Sequence, residues 1–162
     1  MRFFSYMSIL VGFFLASGIQ QAEARPWGEM KLGGAIWNIM DGADRNALHG
    51  AYILPPLSSL YSIQPSVLVI WADEGQHYFA AGLHKTFYQQ GAFSTALAFH
   101  AGLVDSPEAL GDNVEFYSAL SARYQLSAQW ATEIEIGHIS NGGLGEKNPG
   151  SEGVVLSLRY SL

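Results

Sequence analysis

Hydrophobic side chains recur at every second position along most of this chain, over stretches longer than an ordinary globular strand. In residues 114–126, one parity carries Val114, Phe116, Leu120, Tyr124 and Leu126, and the other carries Glu115, Ser121, Arg123 and Gln125. Residues 93–103 set Phe93, Leu97, Phe99 and Leu103 against Ser94, Ala96, Ala98 and His100. Residues 78–88 set Phe79, Ala81, Leu83 and Phe87 against Tyr78, Gly82, His84 and Thr86, while residues 29–37 alternate more weakly. A period of two sends successive side chains to opposite faces of a β-strand. The stretches run 9 to 13 residues. Strands of globular sheets centre on about 5–6 residues, and a tilted strand crossing a bilayer needs roughly 9–11.

The alternation therefore predicts an all-β fold: an eight-stranded antiparallel transmembrane barrel. Candidate strands lie near 28–39, 48–57, 64–72, 76–89, 92–104, 113–126, 129–141 and 152–162. Aromatics at 13%, charged residues at only 14% and 18 glycines fit a wall that meets lipid. The second strand is the weakest, because Pro55 and Pro56 sit poorly in a hydrogen-bonded ladder. The third, with Val67-Leu68-Val69-Ile70-Trp71, is apolar on both parities and reads as buried on both sides. The last segment alternates Leu156, Leu158, Tyr160 and Leu162 with Ser157, Arg159 and Ser161 up to the final residue. Such an ending resembles the terminal signal of bacterial outer-membrane proteins.

The connections differ in character. Those at Gln89-Gln90-Gly91 and Ser127-Ala128 are tight, whereas 40–47, 73–75, 105–112 and 142–151 are richer in Asp, Asn, Glu and Gly. Outer-membrane barrels keep short turns in the periplasm and longer loops outside. The seventh strand then runs outward, and the loop joining it to the eighth faces the cell exterior.

Residues 1–24 read as a cleaved signal peptide, with Met1-Arg2 as the positive start, Ile9 to Ala16 as the apolar core and Ala22-Glu23-Ala24 as the cleavage site. That apolar run is too short to span a bilayer. Residues 25–162 form the barrel, and the expected location is the bacterial outer membrane. There is no cysteine to form a disulfide. A net charge of -6 without a basic stripe excludes nucleic acid as a partner.

One polar constellation interrupts the expected lipid-facing surface. In the seventh strand Glu133 and Glu135 must turn inward, because a carboxylate facing lipid is costly. Ile134 and Ile136 then face out, and counting on by two puts His138 and Ser140 on that outer face. On the eighth strand Glu152 shares parity with Val154, Leu156, Leu158 and Tyr160. A histidine, a serine and a carboxylate thus gather at the outer end of a hairpin. A serine hydroxyl needs a base to take its proton, and the base works best when a third group fixes its tautomer. Ser140, His138 and Glu152 fit nucleophile, base and orienting acid. Asn141 and the amides of Gly142 or Gly143 are candidate donors for the oxyanion of a tetrahedral intermediate. His84 and His100 fall on inward parities, in a polar network with Glu115, Glu133, Glu135 and Arg123. His49 and His77 are assigned no chemical role.

The run His138-Ile139-Ser140-Asn141-Gly142-Gly143-Leu144, followed by Asn148, Gly150 and Glu152, resembles the signature of the PagL-type lipid A 3-O-deacylases. That family's pattern is His-x-Ser-Asn-(Ala/Gly)-Gly-Leu, then Asn-x-Gly and a glutamate at this interval. The resemblance implies that Ser140 is the nucleophile, His138 the general base, Glu152 the third triad member and Asn141 an oxyanion contributor. It implies a substrate, the lipid A of lipopolysaccharide in the outer leaflet, which loses the acyl chain ester-linked at its 3-position. This chemistry calls for no metal and no organic cofactor. A homodimer is allowed by the resemblance. Two rival readings remain at this point: a non-enzymatic barrel with a structural, adhesion or lipopolysaccharide-binding role, and a soluble periplasmic barrel of the lipocalin type.

Overall fold

The computed structural model describes residues 27–40, 44–73 and 76–162; the signal-peptide segment lies outside them. Eight strands, β1 (Glu29–Trp37), β2 (Arg45–Ile53), β3 (Gln64–Ala72), β4 (His77–Gln90), β5 (Phe93–Val104), β6 (Val114–Gln125), β7 (Trp130–Ser140) and β8 (Ser151–Ser161), follow one another around a closed antiparallel barrel. Closure is made by β1 against β8, from Glu29 opposite Ser161 to Trp37 opposite Gly153. Closure is what hydrocarbon requires, because an open sheet edge leaves backbone donors and acceptors with no water to satisfy them.

The outer wall is apolar. Leu32, Leu48, Trp71, Phe79, Leu103, Leu120, Ile136, Leu156 and Leu158 are all exposed. Trp130 and Tyr160 pack ring against ring, tilted at 55°, at the end where the chain terminates, where interfacial aromatics are expected. A lipocalin-type barrel would invert this distribution, so the soluble reading is rejected.

The interior divides in two. Toward the terminal end lies an ion cluster. Lys31 Nζ contacts Glu133 Oε1 at 2.8 Å and Glu135 Oε2 at 2.7 Å. Arg159 pairs with Glu133 at 2.6 Å and also with Glu29, which Arg123 reaches at 3.0 Å. The Tyr117 hydroxyl donates to Glu135 at 2.5 Å. Three carboxylates thus meet three cations. An eight-stranded barrel has no room for a water channel, so each of these charges is desolvated and depends on its partners. Toward the other end the filling is apolar and aromatic, with Trp37, Leu68, Ile70, Tyr78, Val104, Leu110, Tyr117 and Ile139 in contact.

Three expectations change in detail. The third strand is not buried on both sides: Leu68 and Ile70 fill the lumen, whereas Val67 and Trp71 face outward. It is apolar on both faces because membrane covers one and the apolar half of the core covers the other. Pro55 and Pro56 lie beyond the end of β2, in a connection with a short 3-10 turn at Ser58–Leu60. That connection covers the outward-facing Lys85, whose Nζ donates to the Tyr61 carbonyl at 3.0 Å. Of the anticipated network, Glu133, Glu135 and Arg123 belong to the ion cluster and His84 touches Arg159. His100 instead meets the Ser66 hydroxyl. Glu115 is buried outside the ion pairs.

The cluster makes a prediction. Replacing Arg159 with leucine strips Glu133 and Glu29 of a buried partner, which destabilises by roughly 3–5 kcal/mol. Urea unfolding of the detergent-solubilised barrel, followed by its heat-modifiable gel mobility, measures this as a lower midpoint.

Candidate active site

The polar group on the outer wall follows from strand parity. Along β7, Glu133 and Glu135 enter the lumen while Ile134 and Ile136 face out. His138 and Ser140 continue the outward row at the end remote from the chain termini. On β8, Glu152 continues the row of Val154, Leu156 and Leu158. The register brings His138 directly opposite Glu152, and the imidazole Nδ1 lies 3.0 Å from the carboxylate Oε1. Both side chains stay accessible on the wall, at 45% and 31% exposure. With Nδ1 engaged, Nε2 is the nitrogen left for Ser140, two residues along on the same face. Among the described residues the Ser140 hydroxyl makes no hydrogen bond, so the serine–histidine link is open in this state. Catalytic hydrogen bonds commonly close only when substrate is in place.

Glycines let this pair sit where it does. Gly137 and Gly153 oppose each other across β7 and β8, one residue below His138 and one above Glu152 in sequence. Both point inward. A Cβ on Gly137 would lie 2.4 Å from the Tyr117 ring, and one on Gly153 would lie 2.6 Å from Trp37. The two rings pack edge to face with centroids 5.8 Å apart, so a plug of aromatic carbon backs the wall behind the histidine–glutamate pair. Gly150 has φ +71°, and a Cβ there would meet His138 Cε1 at 2.9 Å.

The oxyanion candidates have these partners in the structure. Asn141 follows Ser140 by one residue, so its side chain turns to the opposite face and is 0% exposed. Its Nδ2 donates to the carbonyls of Leu110 (3.1 Å) and Lys147 (2.6 Å), and its Oδ1 accepts from the Gly143 amide at 2.8 Å. The Asn141 amide itself donates to Asn148 Oδ1 at 3.0 Å. Asn141 and Gly143 are therefore committed to holding the loop together. Gly142, at φ +66°, keeps an amide with no partner among the described residues. So does the side-chain amide nitrogen of Asn148, whose oxygen is held by Asn141. Asn148 had been only part of a spacing in the sequence. Its signal there was an amide side chain within reach of a Gly-Gly turn.

Beside Ser140 the wall is aromatic. Phe116 is its cross-strand partner and stacks with Phe99 at a centroid distance of 6.0 Å. Leu144, in the loop that follows β7, is exposed. The remaining rim histidine, His77, lies on β4, across the barrel. It hydrogen-bonds Asp105, which holds that carboxyl below its usual range.

A family model described as lipid A 3-O-deacylase (PagL) matches residues 20–161. Among solved structures, the outer-membrane enzyme PagL superposes with a TM-score of 0.60 at 11% identity, over 83% of this chain and 99% of that one. Neisserial surface protein A gives 0.63 at 11% identity, over 83% and 96%. A de novo designed transmembrane β-barrel gives 0.59 at 12% identity, over 86% and 99%. Identities this low speak for the fold alone, as the designed barrel makes plain. No curated protein matches.

Gly150 offers a test of the site's packing. Replacement by alanine strains a left-handed residue and pushes the His138 ring from Glu152. Misplacements of about 1 Å lower rates by roughly 10²-fold. The expected outcome is a loss of that order in the rate of fatty-acid release, with normal heat-modifiability on gels.

Proposed function

The chain belongs to the lipid A 3-O-deacylase (PagL) family, and on that premise we propose that Ser140, His138 and Glu152 carry out its reaction on the outer wall of the barrel. The protein is an outer-membrane enzyme that removes the 3-linked acyl chain of lipid A; the non-enzymatic reading is not favoured. Residues 1–24 are the export signal in this account.

Ser140 Oγ attacks the ester carbonyl carbon while His138 Nε2 takes the hydroxyl proton. Glu152 holds the Nδ1–H and balances the charge that forms on the ring. The Gly142 amide and the Asn148 side-chain amide are the donors available to the carbonyl oxygen as it becomes an oxyanion. The tetrahedral intermediate collapses by breaking the bond to the sugar's 3-oxygen, which leaves with the proton held by His138. Water, deprotonated by the same imidazole, then attacks the acyl-serine; the bond to Ser140 Oγ breaks, the serine takes the proton back from His138, and the free fatty acid leaves.

The observation that carries this reading is the position of the His138–Glu152 pair. An imidazole and a carboxylate at hydrogen-bonding distance occupy a surface given mostly to aliphatic and aromatic side chains. Polar groups on the lipid face are costly at depth and cheap near the interface, where the ester bonds of a leaflet lipid lie. The Phe99–Phe116 stack gives an acyl chain a surface alongside the serine. One chain holds all three groups, so the mechanism needs no second copy, and the homodimer has no part in it.

Mass spectrometry of lipid A after incubation with purified protein tests the assignment. The wild type should remove the mass of one hydroxy-fatty acid. Ser140→Ala should slow this by at least about 10³-fold while still inserting as a folded barrel. An alanine variant as fast as wild type would exclude Ser140 as nucleophile.

A further inference from the structure

The β1 strand stops one residue short of the acid. Its last rung joins Trp37 to Gly153, so Ser151 and Glu152 have a strand neighbour on the β7 side only. An unpaired strand end would let the Glu152 backbone drift relative to His138. The chain after β1 fills that gap. Asn38 adopts φ +60°, a left-handed conformation that asparagine tolerates better than most residues, and this folds the backbone over the end of β8. Its amide donates to Ser151 Oγ at 3.3 Å, and Ser151 Oγ donates in turn to Asn38 Oδ1 at 2.6 Å. The next residue, Ile39, donates its amide to the Glu152 carbonyl at 3.4 Å. Ser151 is buried and faces the lumen, so its hydroxyl contacts neither lipid nor any residue of the proposed reaction.

We infer that Asn38 and Ser151 are positioning residues for the reaction: their reciprocal hydrogen bonds stand in for the missing β1 rung and hold Glu152 at hydrogen-bonding distance from His138. The inference rests on the proposed Ser140–His138–Glu152 assignment. Neither residue belongs to the signature run on which that assignment was built, since Ser151 falls on one of its unspecified positions and Asn38 lies on another hairpin. The clamp ties the outer end of β1 to the strand that carries the acid. It therefore acts on the transition state, where imidazolium forms, rather than on the binding of lipid A, which the opposite face of the wall receives.

Steady-state kinetics on lipid A in detergent micelles decide it. Asn38→Gly keeps the left-handed turn and removes the acceptor; Ser151→Ala removes the hydroxyl. Each should lower kcat by roughly 10- to 100-fold, with apparent KM within about threefold and unchanged heat-modifiability. Combined with Glu152→Gln, either change should cost less than about threefold more, because sites acting through one another are not additive. Variants within about twofold of wild type would overturn the inference. So would losses that multiply fully with Glu152→Gln, since these would mark a general structural effect. Ser140→Ala run alongside separates the two claims. If it is inactive and Glu152→Gln is impaired while the clamp variants behave as wild type, only the clamp falls. If it is active, the triad falls and takes the clamp with it.

Discussion

In a closed barrel that crosses a membrane, every strand residue faces either lipid or a narrow packed lumen, and the choice alternates without exception unless a bulge intervenes. The structure's other features depend on that constraint. It sends Glu133 and Glu135 into the lumen, where Lys31 and Arg159 neutralise them. By the same count it sends His138 outward two residues later. The inward charges and the outward histidine are consequences of one strand's parity.

Side chains fill most of the lumen, apart from a pocket lined by Trp37, Asn38, Ile70, Tyr78, Leu110 and Ser151. The lumen's contribution is rigidity. The ion cluster fixes the terminal half of the barrel, and Trp37 and Tyr117 press on the glycines behind the histidine–glutamate pair. The loops supply the rest: Asn141 ties the β7–β8 loop to Leu110 of the β5–β6 loop, and Asn38 ties the β1 end to β8. The polar groups of the site are thereby held on a surface where a leaflet lipid can reach them without leaving the bilayer.

Much of this was legible in the sequence. The eight strands fall close to their expected positions, because long alternating runs admit few alternatives, and the outward count for His138 and Glu152 needed only parity. What was not legible has identifiable causes. Glu29 and Lys31 were missed as cluster members because β1, with Gly33 and Gly34 within it, alternates weakly. Pro55 and Pro56 blurred the end of β2, since a strand and its turn share one apolar run there. The bulge between Thr86 and Tyr88 breaks the simple parity of β4. The partners of Asn141 were not legible, because an asparagine beside a serine suggests chemistry, while parity turns its side chain to the buried face. Nothing in the spacing announces that its amide will bind Leu110, thirty-one residues away.

The central claim is that the nucleophile projects from the outer wall into the lipid boundary. A long-chain alkyl phosphonate carrying a fluoride leaving group tests it directly, because such a probe partitions into the micelle and reacts only with an activated serine. Tandem mass spectrometry of the labelled barrel should place one phosphonyl adduct on Ser140, lost when His138 is replaced by alanine. An adduct on another residue, or full activity in protein whose Ser140 has been labelled, would contradict the account.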